Sequence, residues 1–156
     1  MKKIAVLLAA VLCAAPAFAG DNGILKLSLW GKLAVALPNN TQSVTGVEIG
    51  IGSDTASVKG VQWDFVYGKA GDLVGVQSAL LGRADTLTGA QLNAVNLSHQ
   101  YLTGVQFGFY NQAEELHGVQ IGFVNNVQTI KGLQVGLVNI AKNGWFPAMV
   151  LVNGRF

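Results

Sequence analysis

The chain reads as all-β, built from one short unit repeated along its length. Three observations carry this. The phrases GVQFGFYN, GVQIGFVN and GLQVGLVN recur every 14 residues within residues 104–139. Looser copies open upstream at Gly46, Gly60, Gly75 and Gly89, and a degenerate one opens at Phe146. Within each phrase large apolar residues alternate with small or polar ones, the two-residue rhythm of a strand with unlike faces. Self-similarity at a fixed period governs the fold more than any local propensity. Helix is excluded, because residues two apart do not share a helical face and the glycine load is costly there.

Counting the opening glycine as position zero, positions one, three and five are apolar in nearly every copy, as in Val119, Ile121 and Phe123. Positions two and four carry Glu48, Gln62, Asp64, Gln77, Gln91, Gln106, Gln120 and Gln134, together with Ala79, Asn93 and glycines, and the first eight are the polar set. These eight side chains form the polar face on which the structural role is expected to rest. Asparagine closes most phrases (Asn96, Asn111, Asn125, Asn139, Asn153), where its short amide suits a turn.

Ahead of the repeats, Lys2 and Lys3, an apolar run over 4–15 and Ala17-Phe18-Ala19 make a secretory signal over 1–19. The run is too short for a spanning helix. Cys13 follows Leu12, a poor fit to the small residue a lipoprotein signal wants, so lipid attachment is a minor option. The mature chain, 20–156, is one domain without cysteine, hence without disulfides. It carries eight Lys and Arg against eight Asp and Glu, so its formal charge is zero and no nucleic-acid surface is expected. That charge load is about half the share usual in a soluble domain. Both faces of the sheet are therefore poor in the groups that water-exposed surfaces carry.

Residues 23–37 alternate and read as one longer first strand, with Leu25, Leu27, Leu29, Leu33 and Val35 on one face and Lys26, Ser28, Trp30 and Lys32 on the other. Pro38-Asn39-Asn40 ends it. Eight strands follow, joined by short polar links at 53–57, 69–72, 82–86, 97–101, 111–115 and 126–129. Asn143-Gly144 is a hairpin signal.

Three architectures use such strands. In an up-and-down antiparallel barrel of about eight or nine strands set in the outer membrane, bulky residues face lipid and the amides fill a narrow lumen. In a β-solenoid each phrase is one rung, with Val, Ile and Phe in the core and the glutamines as an external ladder that binds a partner. In a soluble barrel the apolar face turns inward, as in a carrier of an apolar ligand, and leaves a poor water-facing surface. The barrel is the leading expectation. The in-strand charges Lys26, Lys32, Glu48 and Asp64 all fall on the polar face, and a charge at the lipid midplane would cost about 2–4 kcal/mol. Tyr67, Tyr101, Tyr110 and Trp145 fall near strand ends, where aromatic girdles belong.

No constellation points to catalysis, cofactor or metal. His99 and His117 lie in different links without ligand spacing, and Ser98-His99 near Asp85 lacks a nucleophile elbow. Asp54, Asp72 and Asp85 lack the spacing of calcium-binding rolls. The amide series is the one constellation of weight. Amides donate and accept at once and so satisfy each other where water is excluded, a plug rather than a pathway for solutes.

The GVQIGFVN and GLQVGLVN phrases resemble the tandem repeats of a bacterial surface-repeat family of secreted or surface-exposed proteins, strongly over 104–139 and loosely at Gly75 and Gly89. The final strand, ending at Phe156, resembles the terminal strand of outer-membrane barrels. The resemblance implies export, an outer-membrane or cell-surface setting, and outer-membrane lipid, the barrel-insertion machinery or an unidentified envelope partner as contacts. It implies no catalytic residues.

Overall fold

The computed structural model describes residues 22–31, 33–37 and 42–156, so the leader, Cys13, Lys32 and the turn at Pro38 lie outside the described residues. The fold is all-β, one open mixed sheet in the order β2-β1-β3-β4. Its elements are β1 (Asn22–Trp30), β2 (Leu33–Leu37), β3 (Ser43–Ala141) and β4 (Ala148–Arg155).

The 99 residues of β3 form one continuous strand, far longer than any strand that runs straight. It returns on itself once per repeat. Ala56 N donates to Gln42 O at 2.9 Å, one repeat away. Gln77 donates to Gln62, Gln91 to Gln77 and Gln106 to Gln91, each pair 14 or 15 residues apart. Successive phrases therefore lie side by side as stacked rungs. The hairpin-joined barrel of eight or nine strands is not formed: the sheet is open, with β2 and β4 at its edges. Alternation within a strand is identical in the two arrangements, so periodicity alone does not separate them.

The opening glycine is what lets rungs stack at this distance. Gly60, Gly75, Gly89, Gly104, Gly118 and Gly132 hold φ between 135 and 148°, and each would place a Cβ closer than 3 Å to the carbonyl oxygen of the glycine one repeat earlier. Only glycine tolerates both the dihedral and the approach.

The links expected as turns are strand, and they supply half of the interior. Val58, Leu73, Leu87, Leu102, Leu116 and Ile130, each two residues before an opening glycine, form a buried column. Ala70, Ala84, Ala113, Val127 and Ala141 form a second beside it. The 14-residue rungs turn positions two, four, seven, nine and twelve inward, as Gln120, Gly122, Asn125, Val127 and Ile130 illustrate, and in the 15-residue rungs of Gly60 and Gly89 the last of these, Leu73 and Leu102, falls at thirteen. Alternation slips by one residue between five and seven and again between nine and twelve, and such slips let a strand turn a corner.

Both ends depart from the expected strands. The first strand breaks at Gly31 (φ 57°) into a hairpin, with Leu27 opposite Val35 and Ser28 opposite Ala34. β1 then lies parallel to the first rung, Lys26 beside Glu48. Lys26 and Ser28 are buried as their face requires, whereas Trp30, placed with them by alternation, is 62% exposed beyond the bulge. At the other end the phrase at Phe146 is not an eighth rung. The Asn143-Gly144 turn reverses the chain, and β4 pairs antiparallel to the last rung, Gln134 opposite Asn153. Asn143 mimics a further rung by accepting from Ile130 N and donating to Ile130 O. Reversal ends the parallel stack and leaves β4, instead of a further rung, as the edge strand.

Candidate functional site

The alternation puts two unlike surfaces back to back, an amide-filled interior and a bare apolar face, and the structure assigns each column to one of them. Gln62, Gln77, Gln91, Gln106, Gln120, Gln134 and Glu48 are fully buried, and Asp64 is nearly so. The external glutamine ladder of the solenoid expectation is therefore corrected: the ladder is internal, and no Gln-rich face is open to a partner.

The ladder has a direction. Gln134 Nε2 donates to Gln120 Oε1, Gln120 to Gln106, and so on to Gln62, which donates to Glu48 Oε2, with bonds of 2.7–3.2 Å. Several rungs send the second amide hydrogen across the interior, Gln106 to Gln112 O and Gln134 to Ile140 O. A parallel amide column polarises each member in the same sense. At its foot the chain places a carboxylate, Glu48, which best accepts from such a column. Lys26 sits 3.0 Å from Glu48, and Ser28 and Thr55 also donate to it, so the buried anion is paired and hydrogen-bonded.

A second ladder runs the other way. Asn96 Nδ2 donates to Asn111, Asn111 to Asn125 and Asn125 to Asn139, at 2.7–2.8 Å. Each also donates to a carbonyl of the next rung, Phe107 O, Ile121 O and Val135 O. The two columns oppose their dipoles. The asparagines expected as turn formers are thus interior struts at a corner.

Position four is coupled to position seven. Where Asn fills seven, Gly occupies four of the next rung: a Cβ on Gly108, Gly122 or Gly136 would come closer than 3 Å to Asn96, Asn111 or Asn125 Nδ2. Where seven is Gly82, the next rung carries Asn93 at four, whose amide occupies the space above Gly82. Asp64 plays the same part over Gly50 and Gly68. Its Oδ2 accepts from Ser53 at 2.6 Å, but Oδ1 is buried without a partner. Desolvation pushes its pKa up to about 6, with Glu48 adding to the rise while the Ser53 hydrogen bond and Lys26 oppose it.

The opposite surface is bare. Positions one, three and five point out of the molecule: Ile121 is 37%, Phe123 51%, Trp63 60% and Phe65 76% exposed. Phe109 and Phe123 stack in neighbouring rungs, centroids 5.2 Å apart at 13°. Between columns three and five the backbone of Gly108, Gly122 and Gly136 forms the floor of a trough of about 690 Å³, walled by Phe107, Ile121, Phe109 and Phe123 and closed at one end by Leu151 and Val152. Leu151 is held at φ 68°, the one non-glycine with positive φ among the described residues, where β4 bends over the last rung.

Other candidates do not assemble. Ser98 donates to Tyr101 O, and His117 pairs with Glu115 in the same rung. Among the described residues no three His, Cys, Asp or Glu side chains cluster at metal-binding distance. The link columns lie outside the eight-residue phrase; the recurring Val, Leu or Ile two positions before each opening glycine carries their signal. Against known proteins, the chain matches no family model, no curated protein and no solved structure.

Proposed function

We propose that the protein is an exported, non-enzymatic β-solenoid of the bacterial outer membrane or cell surface that works by contact, with the apolar sheet face as its working surface. One observation carries the reading: the large side chains at positions one, three and five face outward, without a charge among them, over seven successive rungs. A contiguous apolar surface of that extent marks an interaction site, since soluble monomers rarely leave more than a few hundred Å² bare. The buried amide columns make the scaffold that holds this face flat. The leader over 1–19 supports export, and the family-like phrases support an envelope setting. A spanning barrel has less support, because the free edges of β2 and β4 would leave backbone groups unsatisfied in hydrocarbon.

The test uses the absence of cysteine after residue 19. In a Cys13→Ser background, Phe107→Cys places a thiol on the face and Gln128→Cys places one on an exposed link. A membrane-impermeant maleimide applied to isolated envelopes should label the link and spare the face. Equal labelling at the two positions would overturn the reading, as would recovery of the intact leader, unprocessed, in the cytoplasm.

A further inference from the structure

We propose that a second copy of this chain covers the apolar face, in a two-fold arrangement with the two rung stacks antiparallel. The inference rests on the contact reading above and names the partner. Two features of the face argue for it: its area and the placement of its aromatic rows.

The face extends past the seven rungs. Val35 of β2 lies opposite Leu27, Leu27 beside Ile49, and at the far end Val152 of β4 opposite Val135. Ten neighbouring strand segments at about 4.8 Å, each presenting five residues at about 3.3 Å, give a plane of roughly 48 by 17 Å. That is about 800 Å² per copy and about 1,600 Å² in a pair, the size of a standard stable interface. Two sheets so placed would pack as the halves of a sandwich do, with side chains interleaved.

The aromatic rows are placed to meet across a two-fold axis. The second rung carries Trp63 and Phe65, 60% and 76% exposed, and the rung of Gly104 carries Phe107 and Phe109, 57% and 63% exposed. A two-fold axis parallel to the strands, passing between the rungs of Gly75 and Gly89, sets the second rung of each copy over the rung of Gly104 in the other. Trp63 and Phe65 of each copy then lie over Phe107 and Phe109 of the other, so aromatic rows meet twice, as an isologous interface requires. Near the axis Ser78, Ala90 and Ala94 are small and leave Leu80 and Leu92 as the outward bulk of the two middle rungs. A bilayer has less claim, because the mature chain has no net charge to draw it to anionic lipid.

The experiment weighs the mature chain, 20–156, by sedimentation velocity at micromolar concentration, beside flotation with vesicles of phosphatidylcholine and phosphatidylglycerol. Twice the monomer mass is expected, with no flotation. The double variant Trp63→Asp, Phe65→Asp should fall to monomer mass while keeping its β circular dichroism; Phe107→Asp serves if that variant fails to fold. A dimer unaffected by these changes overturns the placement. A monomer that floats overturns the second copy and leaves the contact reading standing, with lipid as partner. A monomer that does not float also overturns it, and the contact reading survives only if the Phe107→Cys thiol stays protected in envelopes.

Discussion

Replacing Gln106 with leucine tests the amide column at its middle. Leucine matches the glutamine in bulk and removes only its hydrogen-bonding end. Two neighbours then lose their partners: Gln91 Oε1, which accepts from Gln106, and Gln120 Nε2, whose side-chain bond is to Gln106 Oε1. The carbonyl of Gln112 loses a donor as well. Gln91, Gln106 and Gln120 are fully buried, so water does not replace the bonds between them. At about 1–3 kcal/mol for each orphaned buried group, the loss is roughly 2–6 kcal/mol, a large share of a domain's stability. Gln134 is the internal control. It ends the column, its Oε1 already has no partner, and leucine there orphans one glutamine oxygen, Gln120 Oε1, for roughly 1–3 kcal/mol. Urea unfolding followed by circular dichroism reads the difference as a midpoint shift. If Gln106→Leu unfolds no earlier than Gln134→Leu, or is more stable than wild type, the column is filler and its hydrogen bonds do not hold the rungs.

Gly118→Ala should cost about 2–6 kcal/mol, combining strain at φ 148° with overlap on the Gly104 carbonyl, whereas Gly31→Ala, with open space around it, should cost only about 1–2 kcal/mol; thermal midpoints compare them. Leu116→Ala should lose about 2–5 kcal/mol by opening a cavity in the buried column, while Ile121→Ala on the bare face should lose far less, and urea midpoints that reversed the order would turn the rungs inside out. Asp64 makes stability depend on pH in the unusual sense. Its pKa is raised from 3.8 to about 6 on folding, so the protonated form is favoured in the fold. Its contribution is best below pH 4, falls as pH rises from 4 to 6, and by pH 7 costs on the order of 3 kcal/mol. Asp64→Asn should therefore gain stability relative to wild type at pH 7 and gain little at pH 4, measured as paired urea titrations; a constant difference across that range would remove the titration from the account.

Much of this molecule was legible before its structure. The period, the strand rhythm and the division into a greasy and an amide side are properties of neighbouring residues, and alternation enforces them whatever the topology. The outward direction of Val119, Ile121 and Phe123 is an expectation of the barrel alone, since the rhythm allows either face inside; the rungs keep it by burying the amides instead. What the sequence did not decide was which strand lies beside which. Hairpins and rungs use the same alternating phrase; the distinction is one of pairing between residues 14 apart, and only the close approach of Gly118 to the Gly104 carbonyl, impossible for any side chain, makes it visible. The exchange of Asn93 for an asparagine at 82 is likewise a contact between rungs, unreadable while each phrase is considered alone. The reversal at Asn143-Gly144 depended on tertiary structure too, since the last phrase keeps the rhythm of a rung and becomes a cap only because the chain before it turns back.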